Sequence, residues 1–339
     1  MAASGRTWRR RLRAAGLRDD LDPARLDAAL RRTMGPRYVE YAAAAARYSD
    51  GEIPAEAFYA TARTFDEAAL VQSHQAEIVV AAAARLEDAA IARAPAGARV
   101  LELGAWTGAF ARALAGARPD LGVVATDRLR AFVAAGAARL KAPNLAFAAW
   151  DYRRPPPAAL GTFDLVLTMC GVDYGWGEPS HALDGLEVRG TPVHRATVAE
   201  SRPLFRAAAR VARPRAVCAA VLRLPNVARL VAAVDAAAAQ GWRVDLERSS
   251  HLLVDGAVLA VLIFERAPGV LAPPSEESLR AFRRRDIPLP RRRTGRFQGD
   301  DALEIHAALA GRRRSEPDVR ATEAGVALRV ERGVFDGGV

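Results

Sequence analysis

Residues Val100–Leu114 read VLELGAWTGAFARAL, an apolar run that breaks into a glycine-bearing turn and then continues with helical spacing. A strand, a glycine turn and a helix in this order point free backbone amides at a ligand, and glycine lets the ligand approach the main chain. Gly104 and Gly108 are spaced as GxxxG, which departs from the GxGxxG of dinucleotide sites. The stretch therefore predicts a nucleotide-like ligand, and Glu102 lies two residues before the first glycine.

Acids follow the next apolar runs of the chain. These runs predict strands at residues 121–126, 145–150 and 163–169. Asp127 ends the first and Asp151 the second, so both acids are expected at one edge of a parallel sheet, where a ligand can lie across them. Each acid also has a local explanation: Asp127 could cap the next helix, Asp151 could belong to a turn, and Glu102 could pair with a helix dipole.

Over residues 94–267 the pattern resembles the class I S-adenosylmethionine-dependent methyltransferases. The resemblance implies an α/β fold, with a three-layer Rossmann-like sheet that is mostly parallel and ends in an antiparallel hairpin, here expected at 242–247 and 257–264. It implies S-adenosyl-L-methionine as cofactor, with the ribose hydroxyls on Asp127 and the adenine amino group facing Asp151. The cofactor-binding residues would be Glu102, Gly104, Ala105, Trp106, Gly108, Asp127, Asp151 and Met169.

One departure from the family's commonest motif concerns the turn itself. A third glycine is usual between the two that are present, but this chain has Ala105, Trp106 and Thr107 there. Trp106 is therefore expected to place a large ring beside the cofactor, where it narrows the site or stacks on the ligand. The departure leaves open a catalytically inactive, methyltransferase-like binding protein, and an NAD-linked oxidoreductase is a further competing class.

The flanking segments differ from this central domain. Residues 1–93 are expected to form a helical extension, with a helix that starts at Asp22-Pro23, stops at Gly35-Pro36, and is followed by helices from Arg37, near Pro54 and over 66–94. The extension either shapes the acceptor pocket or only covers the sheet or a partner. Residues 268–339 are expected to be a linker and a basic, partly disordered tail.

Composition says little about the partner. The net charge is +10, but Lys141 is the only lysine among 49 basic residues, which indicates a GC-rich genome rather than a nucleic-acid ligand. Arg283–Arg285 and Arg291–Arg293 could contact RNA, although a solvated tail is favoured because aromatic residues for base stacking are nearly absent there. Two distant cysteines and scattered histidines predict neither a disulfide nor a metal site. Without a long apolar run, no membrane span is expected; the cytoplasm is the expected location, an organelle address remaining open.

The chemistry is expected in the loop of residues 170–192, after the fourth strand. Methyl transfer needs the acceptor atom held in line behind the methyl group and water excluded, so shape matters more than a fixed catalytic group. Where a base is needed, the candidates are His181, His194 and Asp173, and Tyr174 and Trp176 could wall an aromatic or cationic acceptor. A small-molecule acceptor is the first expectation, with RNA or a protein side chain as the alternative; the oligomeric state is not predicted.

Overall fold

A computed structural model describes residues 2–170, 187–254, 257–269, 271–287, 318–322 and 325–329. Its strands are β1 (Arg99–Leu103), β2 (Gly122–Asp127), β3 (Leu145–Ala149), β4 (Phe163–Met169), β5 (Ala212–Arg223), β6 (Trp242–Val254), β7 (Ala257–Arg266), β8 (Asp318–Thr322) and β9 (Gly325–Arg329). The first seven form one sheet in the order β3-β2-β1-β4-β5-β7-β6, and β8 pairs with β9. β1 to β5 are mutually parallel, whereas β7 runs antiparallel to both of its neighbours. The predicted fold class is therefore confirmed.

The order of the strands reverses between β1 and β4. From β1 the chain proceeds outward to β2 and β3, then returns to place β4 on the other side of β1. In open α/β sheets, the loops at such a reversal diverge and leave a crevice at the carboxyl ends of the strands. The carboxyl ends of β1 and β4 are thus where the topology makes room for a ligand.

Eleven α-helices accompany the strands in the described residues. They are α1 (Ala2–Ala14), α2 (Pro23–Met34), α3 (Tyr38–Ser49), α4 (Ala55–Tyr59), α5 (Phe65–Ser73), α6 (Ala76–Ala89), α7 (Ala109–Ala117), α8 (Arg130–Arg139), α9 (Pro192–Val211), α10 (Val227–Ala238) and α11 (Glu276–Asp286). One core cluster joins α1, α6 and α7 to the sheet, and another joins α9, α10 and α11 to its opposite face. The central strands are buried on both faces, which explains their nearly continuous apolar sequences.

The N-terminal extension is helical, as the sequence predicts, but its last part is divided. Asp22 accepts a hydrogen bond from the Arg25 amide and caps α2, and Gly35 ends that helix. The single helix expected over 66–94 is two helices, α5 and α6. The hydroxyl of Ser73 donates to the Ala69 carbonyl at the end of α5, an interaction that competes with continued helix.

The segment after residue 268 differs from the expected linker and tail. α11 packs Leu279 and Phe282 into the core on the α9–α10 side of the sheet. Arg283, expected as part of a phosphate-binding arm, is 2% exposed and donates from Nη2 to the Pro225 carbonyl at 2.6 Å. Phe282 and Arg283 follow Leu279 by three and four residues, so all three lie on the same face of α11. Because this face packs against the core, Arg283 is buried with them. Residues 291–293 lie outside the described part of the chain.

Candidate functional site

A cavity of about 340 Å³ lies at the carboxyl ends of the parallel strands. Each of these strands contributes to its lining: Gly104 follows β1, Asp127 ends β2, Asp151 comes soon after β3, Cys170 follows β4 and Arg223 ends β5. The N-terminal extension contributes as well, through Ala55 and Tyr59 of α4 and through Gln75 between α5 and α6. The volume falls in the usual range for small-molecule sites.

The turn between β1 and α7 is tight and left-handed at several positions. Gly104 has φ +71°, Trp106 has φ +56° and Gly108 has φ +83°. The Gly108 amide donates to the Ala105 carbonyl at 2.7 Å, and the Ala105 amide donates to the Thr126 carbonyl of β2 at 2.8 Å. Glycine adopts such φ values at no steric cost. Gly104 lines the cavity, so its main chain is open to a ligand, whereas Ala105 is only 4% exposed and is not among the lining residues.

Gly108 has a role in packing, and its expected role in cofactor binding stays a prediction. A Cβ atom at Gly108 would lie 2.4 Å from Cε1 of Phe147, in β3. Gly136 of α8, which no sequence pattern indicates, is required in the same way, because a Cβ there would lie 2.2 Å from the Thr107 carbonyl oxygen. These two glycines allow the turn, β3 and α8 to pack closely together.

Asp127 makes hydrogen bonds within the fold and also lines the cavity, so the two roles that the sequence left open are compatible. Its Oδ2 accepts from the Trp106 amide at 2.9 Å and its Oδ1 accepts from the Leu129 amide at 2.8 Å, so the carboxylate ties the turn to the loop after β2. The residue is 9% exposed and still lines the cavity. Burial raises the pKa of Asp127, and the two amides oppose this rise. Each carboxylate oxygen can accept a second hydrogen bond, so Asp127 retains acceptor capacity toward a ligand.

Asp151 is held by an arginine at the edge of the same cavity. Arg153 donates from Nε to Oδ1 at 2.9 Å and from Nη2 to Oδ2 at 2.7 Å, which lowers the pKa of Asp151. Glu56 of α4 lies 2.8 Å from the Arg128 guanidinium and 4.0 Å from that of Arg153. These ion pairs link the N-terminal extension to the loops after β2 and β3.

Glu102 is buried in β1 and is not among the residues that line the cavity. Its residue is 2% exposed, and its Oε2 atom is buried without a hydrogen-bond partner. Burial raises the pKa of the Glu102 carboxyl to about 8, and the nearby Asp127 charge adds to this rise. The carboxyl of Glu102 accepts a hydrogen bond from the Ala111 backbone amide in α7, which opposes this rise. The expected role of Glu102 in cofactor binding stays a prediction.

Trp106 lines the cavity, but its ring also contacts the N-terminal extension. The indole Nε1 donates to the Ala68 carbonyl of α5 at 3.0 Å. Its ring lies edge-on to Tyr59 with centroids 4.2 Å apart and packs on Phe132 of α8 at 4.8 Å. Trp106 therefore anchors the helical extension over the glycine turn.

Substitutions of Trp106 should change the free energy of unfolding in two ways, through the lost contacts of the ring and through the left-handed backbone at this residue. We expect Trp106→Ala to lower the free energy of unfolding by about 3 kcal/mol, because ring contacts and an indole hydrogen bond are lost. Trp106→Gly should be more stable than Trp106→Ala by about 1 kcal/mol, since glycine tolerates φ +56°. Urea denaturation of the pair tests this; an alanine variant at least as stable as the glycine variant would contradict it.

The other predicted residues fall in different places. The Nε2 atom of His194 lies 3.0 Å from Oδ2 of Asp235 in α10, and its Nδ1 accepts from the Gly190 amide. His194 is not among the cavity-lining residues, and its expected role as a base stays a prediction. Met169 ends β4 against the core cluster on the α6 side and is likewise outside the lining. The remaining loop candidates lie outside the described residues: Asp173, Tyr174, Trp176 and His181.

Several cavity residues were not foreseen. Arg223 follows an apolar strand directly and could have been noticed as a charged strand end, as Asp127 was. Gln75 and Tyr59 carried no signal, because only the tertiary fold brings the extension onto the sheet edge. In the described ranges, no cluster of His, Cys, Asp and Glu could hold a metal ion, and no helix has the length and apolar character needed to cross a bilayer.

Comparison with known proteins gives structural neighbours of low identity. No protein-family model and no curated protein matches the chain. A TehB-like SAM-dependent methyltransferase from Corynebacterium glutamicum is 16% identical, with 55% of this chain and 87% of that one covered and a TM-score of 0.36. A 16S rRNA adenine N1-methyltransferase from Catenulisporales acidiphilia is 19% identical, with 55% of this chain and 91% of that one covered and a TM-score of 0.36. CalS10, an amino pentose methyltransferase from Micromonospora echinaspora, is 18% identical (56% and 90% covered, TM-score 0.37). Because these TM-scores are low, a function must be argued from the residues of the site.

Proposed function

We propose that this chain is an S-adenosylmethionine-dependent methyltransferase that acts on a small-molecule acceptor. The observation that carries the proposal is the pairing, in one cavity, of the left-handed Gly104 with the carboxylate of Asp127. The cavity lies at the reversal of strand order, the part of such sheets where nucleotide-like ligands bind. The GxxxG spacing argues for an adenosyl ligand over a dinucleotide.

The donor and acceptor chemistry of the cavity fits this cofactor. Asp127 is a buried acceptor, suited to two vicinal ribose hydroxyls, and Asp151 accepts hydrogen bonds at the neighbouring strand end. Gly104 leaves its main chain open at the turn, and Tyr59 and Tyr152 add aromatic walls. When bound, S-adenosylmethionine supplies a sulfonium-activated methyl group. The chain's own residues bind the nucleoside part, fix its orientation and limit the access of water.

The N-terminal extension supports a small acceptor. α4 and the segment before α6 contribute to the cavity wall, and Glu56 bridges toward Arg128 and Arg153 at its rim. A cavity walled in this way admits a small molecule more readily than a folded polynucleotide. Burial of Arg283 also removes one of the residues on which an RNA-binding arm was based. Asp173 and His181 remain candidate bases for an acceptor that must lose a proton.

A transfer assay tests the proposal. The full chain is incubated with S-adenosylmethionine that carries a labelled methyl group and with extract from the source cells, divided into small molecules, RNA and protein. We expect label in the small-molecule fraction, and none when the Gly104→Arg variant replaces the wild type. Label in RNA or protein would overturn the acceptor class. Cofactor binding without transfer to any fraction would instead favour an inactive binding protein.

A further inference from the structure

A second cavity, of about 320 Å³, lies at the amino ends of β4 and β5. Its lining includes Leu165 and Val217, which are paired in register near the start of β4. From Leu165 the strand rises about 13 Å before it ends at Met169, toward the first cavity. The described linings of the two cavities share no residue. The second cavity is therefore a separate site at the opposite edge of the sheet.

Much of the wall of the second cavity is apolar. The segment after α6 contributes Ala94 and Pro95, β4 contributes Leu165, and β5 contributes Pro214 and Val217. Such a wall suits the organic part of a small molecule, and the volume falls within the usual range for small-molecule sites.

Two of the charged residues in this lining, Asp164 and Arg248, already have partners. Arg213 donates from Nη1 to Oδ2 and Oδ1 of Asp164, at 2.8 and 3.0 Å. Arg248 donates from Nε to Asp245 at 2.6 Å and from Nη2 to Glu265 at 2.7 Å. The charges of Asp164 and Arg248 are thus matched within the fold.

The lining also contains Arg93 and Arg215, which are exposed and differ from this pair. Across the described residues, neither guanidinium takes part in a hydrogen bond, an ion pair or a ring contact. The turn that carries Arg93 is itself fixed, because Arg118 donates to the carbonyls of Ile91 at 2.7 Å and Ala94 at 2.9 Å. Two permanent positive charges therefore line one cavity, and no acid in the described part of the chain binds either of them.

The backbone at Arg215 favours a different residue. In the pairing of β4 with β5, residues 213–216 lie opposite Asp164 alone, so β5 bulges here. Arg215 has φ +66° within this bulge. Glycine is the usual residue at a left-handed position of a bulge, and an arginine there has a steric cost. A residue held in such a conformation often marks a functional site, and no polar contact of Arg215 in the described fold offsets the cost.

We propose that the second cavity binds a small phosphate monoester. Its phosphate group would contact Arg93 and Arg215, and its organic part would pack on the apolar wall. Two guanidinium forks match the two charges of a phosphate monoester and its planar sets of acceptor oxygens. The inference goes beyond the proposed function and does not depend on it.

Calorimetry on the full chain tests this site with phenyl phosphate, inorganic phosphate, benzoate and benzyl alcohol. The titrations are made at about pH 8, where phosphate monoesters are dianions, and at constant ionic strength, because salt screens exposed charges. We expect phenyl phosphate to bind at least about 10-fold more tightly than benzoate or inorganic phosphate, since only phenyl phosphate has both the dianion and the apolar part. Benzyl alcohol should give no binding heat.

Variants locate the site. Arg93→Met and Arg215→Asn should each weaken phenyl phosphate binding at least about 10-fold, since a charged hydrogen-bond donor is lost. Asparagine tolerates the left-handed backbone at residue 215, so this variant removes the charge with little change in strain. Arg206→Met removes the same charge from an exposed position on α9 outside the lining, and should bind phenyl phosphate as the wild type does.

The titrations are repeated with saturating S-adenosylhomocysteine, which should leave the affinity for phenyl phosphate unchanged because the two cavities are separate. Weaker binding in its presence would place the phosphate in the first cavity and overturn the inference. So would absence of phenyl phosphate binding, equally tight binding of benzoate, or wild-type affinity in both Arg93→Met and Arg215→Asn. Thermal unfolding checks that each variant folds; if one does not, wild-type affinity in the other is sufficient to reject the site.

Discussion

Gly104→Arg should abolish cofactor binding while the protein still folds. Gly104 lies at the turn after β1 with φ +71° and lines the cavity, so any side chain there projects from the surface that the ligand must approach. The left-handed backbone costs a non-glycine residue about 1–2 kcal/mol, which lowers stability without preventing folding. The bulk of the arginine should reduce affinity for S-adenosylmethionine by at least about 100-fold, or roughly 3 kcal/mol. Isothermal calorimetry measures the affinity and urea denaturation the stability.

Gly97→Arg is the matched control for this substitution. Gly97 precedes β1 at the opposite end of the strand, has φ +77°, and a Cβ atom there would meet nothing within 4 Å. The control therefore carries the same backbone cost and the same added charge, but it lies away from the cavity. It should bind S-adenosylmethionine as the wild type does. Equal affinities for the Gly104→Arg variant and the control would remove the turn from the binding site.

Glu102→Gln should change how stability depends on pH. Burial raises the pKa of the Glu102 carboxyl in the folded state to about 8, whereas in the unfolded chain it is near 4.5. Between pH 4.5 and about pH 8 the carboxyl is protonated in the folded protein but ionised in the unfolded chain. The free energy of unfolding therefore falls as the pH rises through this range. From about pH 6 to about pH 9, the wild type should lose about 3 kcal/mol more than the glutamine variant.

Urea denaturation at both pH values measures this difference. Glu277→Gln, at an exposed position in α11, removes the same titratable group from the surface and controls for general charge effects. We expect this control to follow the wild type. A Glu102→Gln variant whose stability changes with pH as the wild type's does would mean that the carboxyl is ionised or solvated in the folded protein. The inference that Glu102 is buried in its neutral form would then be wrong.

Local sequence patterns predicted most helices and strands of the central domain, because apolar runs and helix caps depend on neighbouring residues. β4 was expected at 163–169 and spans Phe163–Met169, and α10 begins at Val227, where Asn226 caps it. β6 is longer than expected. Its pairing with β7 shifts register between Asp245 and Ser250, where Asp245 accepts from the amides of residues 247 and 248. Such an irregularity interrupts the alternation by which a strand is recognised.

Of the residues in the candidate site, only those at the carboxyl ends of strands could be predicted from the sequence. Asp127, Asp151 and Gly104 line the cavity because carboxyl ends of parallel strands meet at one sheet edge. The direction of a side chain was not predictable: the indole of Trp106 contacts α5, and His194 contacts Asp235 on α10. The bond between Gln75 and Arg223 joins residues 148 positions apart. No local pattern encodes such a contact, because it depends on how the extension docks on the sheet.

The most direct test of the adenosyl site is calorimetric titration of the full chain with S-adenosylmethionine and, separately, with NAD. We predict one-to-one binding of S-adenosylmethionine, weakened at least about 10-fold in Asp127→Asn, because the amide group supplies one oxygen where the carboxylate supplies two. NAD should give no binding heat. Binding of NAD in preference to S-adenosylmethionine, or S-adenosylmethionine affinity that does not depend on Asp127, would contradict the account.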